Sequence, residues 1–152
     1  MEPIKRFTGE QYEQALDSWS WLDLSEKTPR FTSLFGDVFL EAADGWWFLD
    51  SMDGELNRVW PTETDLQEAV NTPEGQDRYL LLGLAQDAER RGVTLDRNEV
   101  YSLTPPPVLG GPLDAAHVSA TDFVVALNLA GQIHDQVRNL PPGTPISSVT
   151  IT

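Results

Sequence analysis

Apolar positions near the amino terminus recur at helical spacing, with Tyr12, Ala15, Leu16 and Trp19 on one face and Thr8 ahead of them as a hydroxyl cap. A first helix is predicted within residues 1–30. Thr28-Pro29-Arg30 reads as a break into a loop, after which the period shortens. Residues 35–43, 46–52 and 55–60 are runs rich in Val, Phe, Trp and Leu, separated by Ala43-Asp44-Gly45 and Met52-Asp53-Gly54. Asp-Gly pairs accept the left-handed backbone of tight hairpins, so the spacing predicts an antiparallel meander.

Helical periodicity then returns. Thr62 precedes two acids, Glu63 and Asp65, and Leu66, Ala69 and Val70 form an apolar face, which predicts a second helix ending at Asn71-Thr72-Pro73. Tyr79, Leu80, Leu82, Gly83, Leu84 and Ala88 predict a third, which becomes charged at Glu89-Arg90-Arg91 and stops at Gly92. Residues 98–103 read as a short strand, Pro105-Pro106-Pro107 as an edge or loop that needs no backbone donors, and residues 122–129 as a last strand. Gly131 to Arg138 reads as an amphipathic helical turn, closed by a Pro141-Pro142-Gly143 stop. Strands, then helices, then strands again, without regular βαβ alternation, predict an α+β fold: an antiparallel meander packed with three to four helices.

Two strings carry a family resemblance. Leu109-Gly110-Gly111, an apolar stretch, then Gln132-Ile133-His134-Asp135-Gln136 and Leu140-Pro141-Pro142-Gly143 resemble the carboxy-terminal domain of bacterial immunity proteins that neutralise DNase effectors of the type VI secretion system. Phe35-Gly36-Asp37-Val38-Phe39-Leu40, Asp44-Gly45 and Phe48-Leu49-Asp50 look like the meander of the same family, which extends the resemblance over residues 35–144. The resemblance implies an α+β fold and a partner that is a toxin protein. Longer members carry a further amino-terminal domain for which 152 residues leave no room, and a single domain is expected over residues 1–152.

Charge changes the picture next. The chain holds 24 acidic and 10 basic residues, a net charge of −14, and the acids crowd its first two-thirds. Nucleic-acid phosphates need Lys and Arg contacts, and an anionic membrane would repel this surface, so neither is an expected partner. A basic protein is the natural match; the alternative is an acidic surface that serves solubility alone. The residues after Met1 form no apolar leader and no run reaches bilayer length, so a cytoplasmic location is expected. With no cysteine, thiolate metal sites and cysteine nucleophiles are excluded.

Candidate chemistry is sparse. His117 and His134 are the two imidazoles, seventeen residues apart and outside any short-range ligand pattern; a site completed by Asp135 or Asp114 is the metal alternative, and no metal or cofactor is expected. No Gly-x-Ser-x-Gly elbow occurs, Ser119 near His117 has no special geometry, and Leu109-Gly110-Gly111 lacks the lysine and pattern of a phosphate loop. An enzyme is not expected. Gly110, Gly111, Gln132, His134 and Gln136 are read as motif residues with a structural role. Trp46 and Trp47 are adjacent on a strand and must face opposite ways, so one becomes an exposed interface aromatic unless both sheet faces are covered. The expected function is occlusion of a toxin, for which the resemblance suggests a nuclease, through Asp37, Glu41, Asp44, Trp46, Asp50, Asp53 and Glu55; a regulatory interaction module or a small-ligand-binding domain is the alternative.

Overall fold

The computed structural model describes residues 2–141, 143–146 and 148–152; Met1 and Pro142 of the strings read above lie outside the described residues. The first helix, α1 (Gly9–Leu16), follows a two-residue strand β1 (Ile4–Lys5). Its cap is reciprocal: the Gln11 N–H donates to Thr8 Oγ1 at 3.1 Å, and the Thr8 N–H donates to Gln11 Oε1 at 2.9 Å. A 3-10 turn, Asp17–Trp19, then carries Trp19 into the core.

Strands β2 (Thr28–Ser33), β3 (Val38–Ala42), β4 (Gly45–Asp50) and β5 (Glu55–Trp60) complete an antiparallel sheet in the order β1-β2-β3-β4-β5. The Thr28-Pro29-Arg30 loop expectation is corrected, because these residues open β2. Pro29 is tolerated where the β2–β3 register shifts between Pro29 and Phe31.

Helix α2 (Glu63–Val70) starts at Thr62, whose hydroxyl accepts from the Asp65 N–H. One turn, α3 (Pro73–Gly75), leads into a π-helical segment Gln76–Leu80 and then α4 (Leu82–Arg90). The expected continuous third helix is therefore broken at Leu81, which takes a left-handed φ of 49°. Strands β6 (Glu99–Leu103) and β7 (Val118–Asp122) pair antiparallel as a second sheet.

The last helix, α5 (Phe123–Val137), replaces the strand expected over residues 122–129 and absorbs the turn expected from Gly131. Asp122 caps it by accepting from the Val125 N–H at 3.2 Å. An apolar run of this length does not separate strand from buried helix by period alone. Among the described residues five α-helices thus accompany the strands, with α3 the one beyond the expected three to four, and the fold is α+β.

Strand alternation sends β3 residues to two cores. Val38 and Leu40, with Leu49 of β4, meet Tyr12, Ala15 and Trp19 and the α5 residues Phe123 and Leu127. Phe39, Trp46, Phe48 and Trp60 project from the other face onto Leu66 of α2 and Leu80. A third cluster joins Leu34 and Phe35 to Ala85 and Ala88 of α4 and to Tyr101, Leu103 and Val118 of the small sheet. Both faces of the large sheet are covered, which answers the question posed by the paired tryptophans. Trp46 is buried, while Trp47 is half-buried against the opposite face with Lys27 Nζ 4.3 Å from its ring centroid. Among the described residues no helix is long and apolar enough to cross a membrane.

Helix α5 is seated by a close approach at Gly131. The fully buried Trp19 donates through Nε1 to the Leu127 carbonyl at 2.9 Å, and Ser18 Oγ donates to the Asn128 carbonyl at 2.8 Å. A Cβ on Gly131 would overlap Ser18 Oγ and lie 2.8 Å from Trp19 Nε1. Alanine gains about 1 kcal/mol of helix propensity over glycine, but overpacking here strains both donors that hold the helix. Gly131→Ala is expected to lose about 1–3 kcal/mol net, read as a Tm several degrees lower; an unchanged or raised Tm would remove this close approach from the account of the core.

Candidate functional site

The β4–β5 turn gathers carboxylates. Asp37, just before β3, is 3% exposed, and its carboxylate accepts from Ser33 Oγ at 2.7 Å and from the Ser51 N–H and Ser51 Oγ, each at 2.8 Å. Asp50 ends β4 and accepts from the N–H groups of Met52 and Asp53, both at 3.0 Å, an Asx-type closure of the turn. Asp53 is exposed on the turn, and Glu55, also exposed, pairs in register with Asp50 across the hairpin.

Desolvation and the neighbouring charges of Asp37 and Asp53 push the Asp50 carboxyl up to about 6, against the donated N–H groups that favour its ionised form. Burial likewise raises Asp37, opposed by the hydrogen bonds from Ser33 and Ser51. Three ion pairs occur among the described residues, Arg30–Glu41, Arg90–Asp87 and Arg138–Asp135, and none neutralises this turn.

His134 holds the turn from behind. Its side chain is buried, and Nε2 lies 2.9 Å from the Ser51 carbonyl, an acceptor, which assigns the proton to Nε2. The imidazole packs at a tilt against Trp19, with ring centroids 5.6 Å apart. Gly54, at φ +71°, leaves the space the ring occupies, since a Cβ there would come 2.5 Å from His134 Nδ1. Burial lowers the His134 pKa, so the ring is held neutral, although the Ser51 carbonyl and Asp53 oppose that shift.

The remaining expected site residues lie elsewhere. Asp44 and Glu41 sit at the far end of β4 and β3, about 17–20 Å of strand from the acidic turn. Asp44 accepts from Trp47 Nε1 at 2.9 Å, and Glu41 is ion-paired to Arg30 at 2.9 Å. Trp46 is turned into the core beneath α2, where its ring is 6% exposed. The structure thus divides the seven candidates into one group of Asp37, Asp50, Asp53 and Glu55 and another of Glu41, Asp44 and Trp46.

The motif residues have distinct surroundings. Gly110 takes a φ of +94° and donates its N–H to the Pro107 carbonyl, and Gly111 has the Pro105 carbonyl where a Cβ would be. Gln132 and Gln136 clasp the chain's own carboxy-terminal segment. Gln136 Oε1 accepts from the Thr150 N–H at 2.8 Å and its Nε2 donates to the Thr150 carbonyl at 2.5 Å; Gln132 treats Thr152 the same way, at 2.6 and 3.1 Å. Four residues along a helix rise about 6 Å, close to two residues of extended chain, so two glutamine amides one turn apart match alternate peptide groups.

Among the described residues, cavities of about 560 Å³ between Ile4, Phe31 and α2, of about 250 Å³ between the small sheet and α5, and of about 200 Å³ beside Asp50 and Asp53 open to solvent. Neither histidine lines any of them. Among the described residues no three His, Asp or Glu side chains are grouped to hold a metal ion. Met52 and Pro107 wall both smaller cavities, a role invisible in the sequence because neither residue belongs to a chemical motif.

A two-sheet α+β domain with an acidic turn braced by a buried histidine is the class these features define. Residues 64–134 match the family described as T6SS immunity protein Tdi1, C-terminal. The resemblance drawn from Leu109-Gly110-Gly111 and the Gln-Ile-His string is found over that segment, which runs from α2 into α5. The meander strings and the Leu-Pro-Pro-Gly run fall outside it. Among solved structures the chain is similar to the crystal structure of Atu4351 from Agrobacterium tumefaciens, with a TM-score of 0.57 and 15% identity over 86% of this chain. At that identity the likeness concerns the fold, and the chain spans 66% of that protein. No curated protein matches the chain.

Asp50 and His134 act oppositely on stability. Asp50, raised from 3.8 to about 6, binds its proton more tightly in the folded state; its stabilising contribution is complete below pH 3.8 and is lost as pH rises through 6. His134, lowered from 6.5, contributes above pH 6.5 and loses that contribution as pH falls through its folded value. Asp50→Asn keeps an acceptor for the turn while removing the charge. Its Tm is expected to exceed the parent's at pH 7 and to converge with it near pH 4; a deficit at pH 7 would mean that the ionised carboxylate stabilises the turn.

Proposed function

We propose that this protein is a non-enzymatic immunity protein that binds a cognate toxin effector in the cytoplasm and blocks it by occlusion. The observation that carries the reading is the match of residues 64–134 to a type VI secretion immunity family. A net charge of −14 adds that the toxin surface is basic, as the substrate groove of a nuclease would be. Of the candidate contacts, Asp50, Asp53 and Glu55 form the proposed charged edge, with Asp37 supporting the turn from within. Glu41 and Asp44 form a second acidic edge at the opposite end of the sheet, and the buried Trp46 serves by shaping that end. Charge of this kind raises the rate of encounter, while packed apolar contacts slow dissociation.

A small-ligand-binding domain is the second reading, favoured by the cavity of about 560 Å³, within the range of ligand pockets. Co-expression with the protein encoded beside this one separates the readings. Immunity predicts rescue of growth and a complex that co-purifies and weakens as salt rises from about 50 mM to 500 mM. Neither rescue nor co-purification would return the function to the ligand-binding reading.

A further inference from the structure

We infer that the two smaller cavities form one bipartite docking cleft for a polypeptide segment that presents a large apolar side chain next to a lysine or arginine. This inference deepens the proposed function and rests on it for the biological partner, though not for the chemistry of the cleft. The cavity between the small sheet and α5 is lined mainly by apolar groups, among them Phe35, Leu103 and Ile133. At about 250 Å³ it is larger than the roughly 150 Å³ that accommodates a benzene ring in a protein interior, so it has room for one aromatic or aliphatic side chain. Thr121, Ser102 and Thr104 supply hydroxyls at its wall, and Ser102 Oγ and Thr121 Oγ1 satisfy one another at 2.7 Å. Those two hydroxyls consequently ask for no polar group from the occupant.

Charge complementarity decides what lies beside that side chain. Across the shared wall of Met52 and Pro107, the adjoining cavity is lined by Asp37, Asp50 and Asp53. Its one cation, Arg78, makes no ion pair among the described residues and instead has its guanidinium 5.3 Å from the Tyr79 ring centroid. Asp50 and Asp53 therefore face the cleft without a cationic partner. Burial first, and then the neighbouring charges of Asp37 and Asp53, raise the Asp50 carboxyl, and a guanidinium or ammonium group entering the cavity would offset the like-charge part of that cost. An anionic nucleic acid or lipid headgroup would add to that repulsion. Methionine at the shared wall adjusts its shape to its neighbour, which suits a boundary between two side-chain subsites.

The test uses the full chain and three capped dipeptides, Ac-Phe-Arg-NH2, Ac-Phe-Glu-NH2 and Ac-Gly-Arg-NH2, followed by backbone amide shifts. The first is expected to shift Met52, Thr121, Ile133 and Asp53 and to bind at least tenfold more tightly than either control. No response, or equal response to all three, overturns the inference. Ala130→Phe, which fills the apolar part, should abolish binding; should it fail to fold by circular dichroism, Met52→Glu is the replacement. The co-encoded protein then separates the two readings. If the parent rescues growth while Ala130→Phe (or its replacement) and Asp53→Lys bind that protein with parental affinity, the docking cleft is refuted and immunity stands. If Ac-Phe-Arg-NH2 binds as expected but the parent gives no rescue, immunity is refuted and the cleft stands. A tenfold or greater loss of affinity in both variants supports both.

Discussion

The burial of Trp19 against α5 is the constraint on which the rest of the molecule depends. The indole removes a large apolar surface from water and still pairs its single donor with the Leu127 carbonyl, so it is buried without an unsatisfied N–H. Such a fit needs the helix close, and Gly131 permits it. Three turns of α5 are thereby set on one face of the sheet, with Phe123 and Leu127 in the same core as Val38, Leu40 and Leu49.

That seat also sets the position of His134, one residue triplet beyond Gly131. The ring stacks at a tilt on Trp19 and reaches the Ser51 carbonyl, while Ser51 itself donates twice to Asp37. A continuous path of contacts thus runs from the central tryptophan to the acidic turn. The turn that carries Asp50 and Asp53 is thus braced from behind, and under the proposed function a partner would be spared part of the entropy of ordering it. The two smaller cavities open beside the same turn, so the rigidity of the core and the shape of the proposed interface have one origin.

The family match and the geometry divide the molecule differently. Residues 64–134 include α4, the small sheet, the proline-rich loop and most of α5, whereas the carboxylates of the turn belong to the meander outside that segment. The matched half supplies Pro107 and Ile133 to the cleft and His134 behind it, and the other half supplies Met52, Asp50 and Asp53.

Local patterns were legible without coordinates wherever a short-range signal was strong. Thr8 and Thr62 announced their helices because a hydroxyl cap acts within three residues, and the Asp-Gly turns at Asp44 and Asp53 bounded β4 because hairpin geometry is local. Acidity and the absence of a catalytic string were equally plain in composition. The run after Asp122 was misread because apolar residues in succession satisfy a buried strand and a buried helix alike, and only packing against Trp19 and the sheet separates them. The candidate acids read as one cluster, yet β4 holds its two turns apart at opposite ends, and Trp46 lies beneath α2 because strand alternation does not say which face a distant helix will cover. The cleft was decided by tertiary structure alone: Met52, Pro107 and Ile133 are remote along the chain, and their adjacency exists only once α5 is seated and His134 has drawn the turn against it.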